Sequence, residues 1–256
     1  MAPPSDQEVA AARAAFPTGL LQPEGGYRFS LDPLLLAVFA RPKKNARMAD
    51  LGTGCGVAAL AALLAHPAAS TALGLDVAPA MARAATSNAA SLGISDRFAA
   101  LNLDIRCVRD ARPDLEPESF GLVLANPPYR RLGTGQPCPG EERNRARFET
   151  GAGLEDFLAA AAWLLANRGA LAIVFPAARL PELLCGCVAA RLSPKRLRMV
   201  HSRLEEPARL VLLEAVKNAG AELAVEPPLV LYEGYGENTR MTEAALAYCP
   251  FLARNP

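Results

Sequence analysis

Asp50-Leu51-Gly52-Thr53-Gly54-Cys55-Gly56 is a glycine-rich run set between two apolar stretches, Arg47–Leu51 and Val57–Ala65. The first reads as a short buried strand, and the Ala/Leu-rich second as a helix ended by His66-Pro67. Glycines at such a turn let the chain reverse tightly and let a ligand approach bare backbone, while the helix N-terminus offers N–H donors. A dinucleotide cradle needs Gly-x-Gly-x-x-Gly, hence glycine at position 57, but that position is Val and the third glycine stands at 56. The spacing therefore argues against a pyrophosphate site.

Strand and helix patterns alternate outward from this loop. Ala72–Leu75 reads as a strand, Ala78–Leu92 as a helix closed by Gly93, and Phe98–Leu103 and Phe120–Ala125 as strands. Leu154–Ala166 is an amphipathic helix pattern, on which Trp163 reads as core; Leu171–Phe175 is a strand and Leu180–Arg191 a helix. Leu197–Ser202, Leu210–Val216 and a short Val230–Tyr232 complete the strands. Upstream, Leu31–Ala40 is helical with Pro33 in its first turn, Gln22–Gly26 is a turn, and the residues before Phe16 read as a loosely ordered lead-in. Alternation of this kind predicts an α/β fold with a mainly parallel sheet. Arg203–Ala208 is too short for a crossover helix, so the strands on either side of it should pair antiparallel. The chain divides into a lead-in (1–26), a main domain (27–235) and a C-terminal tail (236–256).

Carboxylates stand at the ends of the next strands. Asp76 lies twenty residues after Gly56, where a carboxylate can accept both hydroxyls of a bound ribose. Asp104, followed by Ile105, closes the third strand. Each of these aspartates also suits a helix cap. The fourth strand runs into Asn126-Pro127-Pro128-Tyr129, at the sheet edge where open α/β folds bind ligands. The prolines fix the backbone so that the Asn126 side chain and the Pro127 carbonyl can aim at one spot. Two oxygen acceptors there could grip the hydrogens of a planar amino group, orient its nitrogen and favour the charge that develops on it. Tyr129 could stack on the planar partner. A proline-stiffened turn with a capping Asn is the plainer alternative.

Together these motifs resemble class I S-adenosylmethionine-dependent methyltransferases of the Asn-Pro-Pro-Tyr type, most closely the bacterial valine tRNA adenine-N6 methyltransferases. The likeness extends through Gln22-Pro23 and Gly26–Asp32, Ala146-Arg147-Phe148-Glu149, Leu197–His201 and Ala208–Glu214. It departs at Phe148, where many relatives carry His, and at Asn238–Thr242. The resemblance implies a Rossmann-like, seven-stranded, mainly parallel sheet with one antiparallel strand near the C-terminus and helices on both faces. It implies S-adenosylmethionine held by Asp50, Gly52, Thr53, Gly54, Gly56, Asp76, Val77, Asp104, Ile105 and Asn126. Tyr27, Phe29, Ser30 and Asp32 would close over the cofactor's methionine end. Asn126, Pro127 and Tyr129 would hold the acceptor, the N6 amino group of an adenine in tRNA.

Three basic sets could meet RNA phosphates: Arg130, Arg131, Arg143, Arg145 and Arg147 beside the Asn-Pro-Pro-Tyr motif; Arg191, Lys195, Arg196, Arg198 and Arg203; and Lys43, Lys44 and Arg47. The first set is favoured because it flanks the motif, where it could hold the backbone around a flipped-out base. Solvated surface charge is the plainer reading of all three. A net charge of +1 over 256 residues excludes a strongly basic nucleic-acid coat. The six cysteines form no pair at zinc-site spacing, so reduced thiols and no metal are expected. No apolar run is long enough to span a bilayer and no signal peptide precedes the domain, which predicts a soluble cytoplasmic protein, as monomer or weak dimer. The competing reading is a methyltransferase acting on a glutamine amide of a translation release factor. That family normally carries a helical domain before the glycine loop, and fewer than fifty residues precede Asp50 here. A non-catalytic binding module is disfavoured by the intact Asp50, Asp76 and Asn126.

Overall fold

The computed structural model describes residues 4–23, 29–69, 71–110, 115–128 and 151–254. Its strands are β1 (Arg47–Leu51), β2 (Thr71–Asp76), β3 (Phe98–Asn102), β4 (Phe120–Ala125), β5 (Leu165–Pro176), β6 (Leu192–His201) and β7 (Ala208–Lys217). Two-residue strands β8 (Ala224–Val225) and β9 (Leu229–Val230) add to the same sheet, and β10 (Tyr232–Glu233) pairs separately with β11 (Arg240–Met241). The main sheet runs β3-β2-β1-β4-β5-β7-β6-β8, with β9 also on β6. The seven expected strands are thus joined by two short ones. β7 is antiparallel to both its neighbours, and every other pair in this sheet is parallel. The short Arg203–Ala208 link produces that one reversal.

The helices are α1 (Asp6–Ala15), α2 (Asp32–Phe39), α3 (Val57–Ala65), α4 (Pro79–Ser91), α5 (Leu154–Leu164), α6 (Leu180–Ala189) and α7 (Glu243–Tyr248). One face of the sheet buries α2, α3 and α4, and the other buries α5 and α6. The face assignment follows from composition: Leu34, Leu35, Leu36 and Ala37 of α2 are wholly buried, as befits a helix with no polar side to present to water.

Two segments differ from the sequence reading. The residues before Phe16, expected to be loosely ordered, contain α1. Its start is a capping box in which Ser5 accepts from the Glu8 N–H and Glu8 accepts from the Ser5 N–H, and Arg13 donates to the Leu92 and Gly93 carbonyls at the end of α4. Packing supplies the rest, because Val9 seats directly on Gly93. The second difference is β5, which begins at Leu165 with no turn after α5. Phe120 pairs with Leu165 while Leu122 pairs with Ala170, and Arg168 takes a left-handed φ of 63° to absorb the extra residues. Near the C-terminus, Ala245 and Cys249 are fully buried in the same cluster as α2 and Phe16.

Candidate active site

The sheet order changes direction at β1: the chain winds outward through β2 and β3, then returns to lay β4 on the other side of β1. At such a switch point the loops leaving the carboxyl ends of the strands diverge and open a crevice. Register fixes what lines it. Leu51 pairs with Leu75 on one side and Ala125 on the other, so Gly52, Asp76 and Asn126 follow at one level of three adjacent strands.

The glycine loop takes its shape from three left-handed residues, Gly52, Gly54 and Gly56, with φ of 66°, 57° and 92°. Their reasons differ. A Cβ on Gly52 would stand 3.3 Å from Phe157 of α5, and one on Gly56 3.0 Å from Leu60 and 3.2 Å from Ala85, so these two are pressed against neighbouring helices. Around Gly54 no atom lies within 4 Å of the Cβ position among the described residues, and this backbone faces open space. Asp50 lies beneath the loop, 1% exposed, and its carboxylate accepts from the Thr53 hydroxyl at 2.7 Å and the Ala59 N–H at 3.3 Å. Burial pushes this carboxyl up to about 7 despite those hydrogen bonds. Asp50 and Thr53, both buried, therefore brace the loop from inside.

Asp76 binds the loop from the crevice side. One carboxylate oxygen accepts from the Gly54 N–H and the other from the Ala78 N–H, both at 2.8 Å. Next to it Val77 is 66% exposed, an apolar side chain held at the edge of the crevice. Asn102 fixes this corner by donating to the Asp76 and Val77 carbonyls at 2.9 Å each. Asp104 caps the short 3-10 helix Ile105–Cys107, accepting from the Arg106 N–H and from its guanidinium at 2.5 Å. The Arg106 side chain holds the Asp104 carboxyl below the usual carboxylate range. Ile105 is buried behind it. Asn126 is half-buried, Pro127 buried and Pro128 exposed where β4 leaves the sheet. Phe29, Ser30 and Asp32 are half-buried at the start of α2. Tyr27, Tyr129, Arg130, Arg131, Arg143, Arg145 and Arg147 lie outside the described residues.

Two positions that matter to the site were not singled out from the sequence. Gly74 of β2 makes room for Thr53, whose side-chain atoms would come within 2.7–2.9 Å of a Cβ there. Asn88, buried on α4, donates to the Cys55 carbonyl at 2.9 Å and exchanges hydrogen bonds with both backbone groups of Leu21. It ties the glycine loop to the segment that leads towards Phe29. A polar residue on the Ala-rich inner face of α4 was the available signal.

In the other basic sets, Arg196, Arg198, Arg203 and Arg47 are committed within the fold, whereas Lys43, Lys44 and Arg191 are exposed and Lys195 half-buried. Arg196 is 7% exposed, pairs with Glu214 and Glu226, and stacks 3.8 Å from the Phe39 ring centroid. Arg198 pairs with Glu226 and lies over Tyr248; Arg203 pairs with Glu206 and lies over Tyr235. Arg47 sits over Phe120 at the amino end of β1, the edge opposite the crevice. Among the described residues no cluster of His, Cys, Asp and Glu could hold a metal ion, and no helix is long and apolar enough to cross a membrane.

This arrangement has counterparts in known proteins. A curated protein of Porphyromonas gingivalis named tRNA1(Val) (adenine(37)-N6)-methyltransferase is 32% identical over 163 residues, which cover 63% of this chain and 62% of that relative. One of the same name from Aeromonas salmonicida is 31% identical over 60% of this chain and 61% of the relative. The match thus spans under two thirds of these relatives' length. A solved structure of a predicted O-methyltransferase from Agrobacterium tumefaciens superposes with a TM-score of 0.67 at 23% identity, over 86% of this chain and 96% of that one. The ribosomal protein L11 methylase of Lactobacillus delbrueckii gives a TM-score of 0.54 at 18% identity, over 78% and 86% of the two chains. These two share this chain's fold, a Rossmann-like methyltransferase fold. The methyltransferase small-domain model matches residues 32–182, more than half of the chain and all of the crevice from α2 through β4. With its glycine loop, Asp76 and Asn126 brought to one sheet edge inside that match, the chain belongs to the methyltransferase small-domain family.

Proposed function

We propose that this protein transfers a methyl group from S-adenosylmethionine to the N6 amino group of an adenine in tRNA. The carrying observation is the common level of Gly52, Asp76 and Asn126 at the switch point, which brings the glycine loop and the Asp76 carboxylate beside the Asn-Pro-Pro turn. The residues present fit the cofactor. Gly54 offers backbone facing open space, Val77 an exposed apolar surface for the adenine ring, and Asp76 a carboxylate for the ribose diol. A carboxylate has about four acceptor positions, so its bonds to Gly54 and Ala78 are compatible with ribose hydroxyls as further donors. When bound, the cofactor supplies an electrophilic methyl group on its sulfonium. Ser30 and Asp32 would meet its methionine end, and Asp50 and Thr53 keep the loop in shape from beneath.

At the acceptor, the Asn126 amide oxygen and the Pro127 carbonyl would each take one N–H of the planar amino group. That grip holds the nitrogen's face towards the methyl group and favours the positive charge that grows as the bond forms. Tyr129 would stack on the base, and Arg130, Arg131, Arg143, Arg145 and Arg147 would hold its backbone. The names of the relatives support tRNA as the acceptor, and a soluble cytoplasmic enzyme agrees with that substrate.

The test offers unmodified tRNA and a translation release factor separately, each with methyl-labelled cofactor. Label in N6-methyladenine of the tRNA is expected; label on the protein's glutamine alone would install the glutamine-amide reading instead. Asn126→Ala should then slow single-turnover transfer by about 10²–10³-fold, the scale for losing one transition-state hydrogen bond, with cofactor affinity retained. A near-normal rate would remove Asn126 from the chemistry.

A further inference from the structure

A second recess, of about 470 Å³, opens at the same sheet edge on the far side of the Asn126-Pro127-Pro128 turn from the glycine loop. Its floor is one row across three strands: Pro176 of β5 pairs with Leu210 of β7, which pairs with Val200 of β6. Leu31, Leu231 and Tyr232 form an apolar wall, and Ser30, Asp32, Ser202 and Arg209 are its polar groups, so the recess adjoins the segment proposed for the cofactor's methionine end. The volume is in the range of small-molecule sites, and apolar walls with a few aimed polar groups are the usual composition of such sites.

Arg209 is set apart from the other arginines of this region. Arg196, Arg198 and Arg203 are all ion-paired and stacked on aromatic rings, whereas Arg209 is exposed, with no hydrogen bond or ion pair among the described residues. It also occupies a bulge. Val200 pairs with Leu210 and His201 with Ala208, so one step on β6 is met by two on β7, and Arg209 is the extra residue. A bulge re-aims the side chain it carries, and here that side chain lines the recess.

We propose that this recess receives the RNA nucleotide flanking the target adenine, with its phosphate on Arg209 and its base against Leu231 and Tyr232. Ser202 would accept from an amino group on the edge of that base. The inference rests on the reading of the acceptor as RNA. It adds to it a binding residue on β7, separated in sequence from the arginines beside the Asn-Pro-Pro-Tyr motif.

The test compares wild type, Arg209→Ala and Arg209→Lys in single-turnover methylation of an unmodified tRNA transcript, with cofactor affinity measured by calorimetry. Arg209→Ala should raise the RNA concentration for half-maximal rate by about ten- to hundredfold, the loss of one charged hydrogen bond, while leaving the rate at saturating RNA and the cofactor affinity unchanged. The log–log salt slope of RNA binding should flatten by about 0.7–0.9, and Arg209→Lys should keep most of that slope. An unchanged RNA dependence in Arg209→Ala would overturn the proposal. So would a loss confined to cofactor affinity, which would assign the recess to the methionine carboxylate. If wild type methylates no tRNA, the RNA reading fails first and this inference falls with it, a result distinct from either outcome of the variant.

Discussion

Beneath and beside the glycine loop on the β1–β3 flank, two carboxylates are answered by backbone N–H and hydroxyl donors: Asp50 by Thr53 and Ala59, Asp76 by Gly54 and Ala78. On the β6–β7 flank arginines are answered by carboxylates and aromatic rings, with Arg196 and Arg198 converging on Glu226 and Arg196 reaching Glu214 as well. The two arrangements do different work. A carboxylate oxygen bonded to a loop N–H shapes that loop and remains an acceptor for a donor arriving from the crevice. A buried guanidinium stacked on a ring and paired with carboxylates has little left to offer a ligand. Charge near a cleft therefore identifies a site only when its partners are known, and of Arg196, Arg198, Arg203 and Arg209 the last alone has no ion pair among the described residues.

Breaking the β6–β7 network should give the largest effect. Arg196→Met leaves Glu214 and Glu226 in a largely buried setting without their central cation, which should cost about 3–5 kcal/mol in urea unfolding. Catalysis by the fraction that remains folded should be near normal; selective loss of methyl transfer in a stable variant would place Arg196 in function rather than frame. The β1–β3 flank should respond in the opposite sense. Asp76→Ala should weaken cofactor binding by about 1.5–3 kcal/mol in calorimetric titration, the worth of a charged hydrogen bond, with a smaller effect on unfolding. Undiminished cofactor affinity in the folded variant would dissolve the contrast. Least sensitive should be the rim of the network: the Arg41 side chain is 67% exposed and pairs with Glu226 at 3.1 Å, so Arg41→Ala should change stability by under about 1 kcal/mol. A loss as large as that of Arg196→Met would show that the network acts as one unit.

What could be read before folding follows from the range of the interactions involved. The glycine loop, the strand-end aspartates and the Asn-Pro-Pro turn are local patterns, in which neighbouring residues dictate the backbone, and the structure has strands β1, β2 and β4 delivering them. Alternation of short apolar runs sufficed for a mainly parallel sheet, and the short link after β6 for its single reversal. The capping box of α1 was also written locally, in Ser5 and Glu8, but a short N-terminal helix needs Val9 on Gly93 and Arg13 on α4 to hold it, and those contacts are long-range.

The sequence by itself thus determined the loop, its spacing and the order of the elements, because each depends on residues within a few positions of one another. Only the tertiary structure decided which charges are spent and which are available. Phe39, Glu214 and Glu226 reach Arg196 from α2, β7 and the segment after β8, and the register of β6 against β7 leaves Arg209 as the extra residue of a bulge. Such pairings join residues distant in sequence, and a low-dielectric contact between them is strong only once folding has removed the water between.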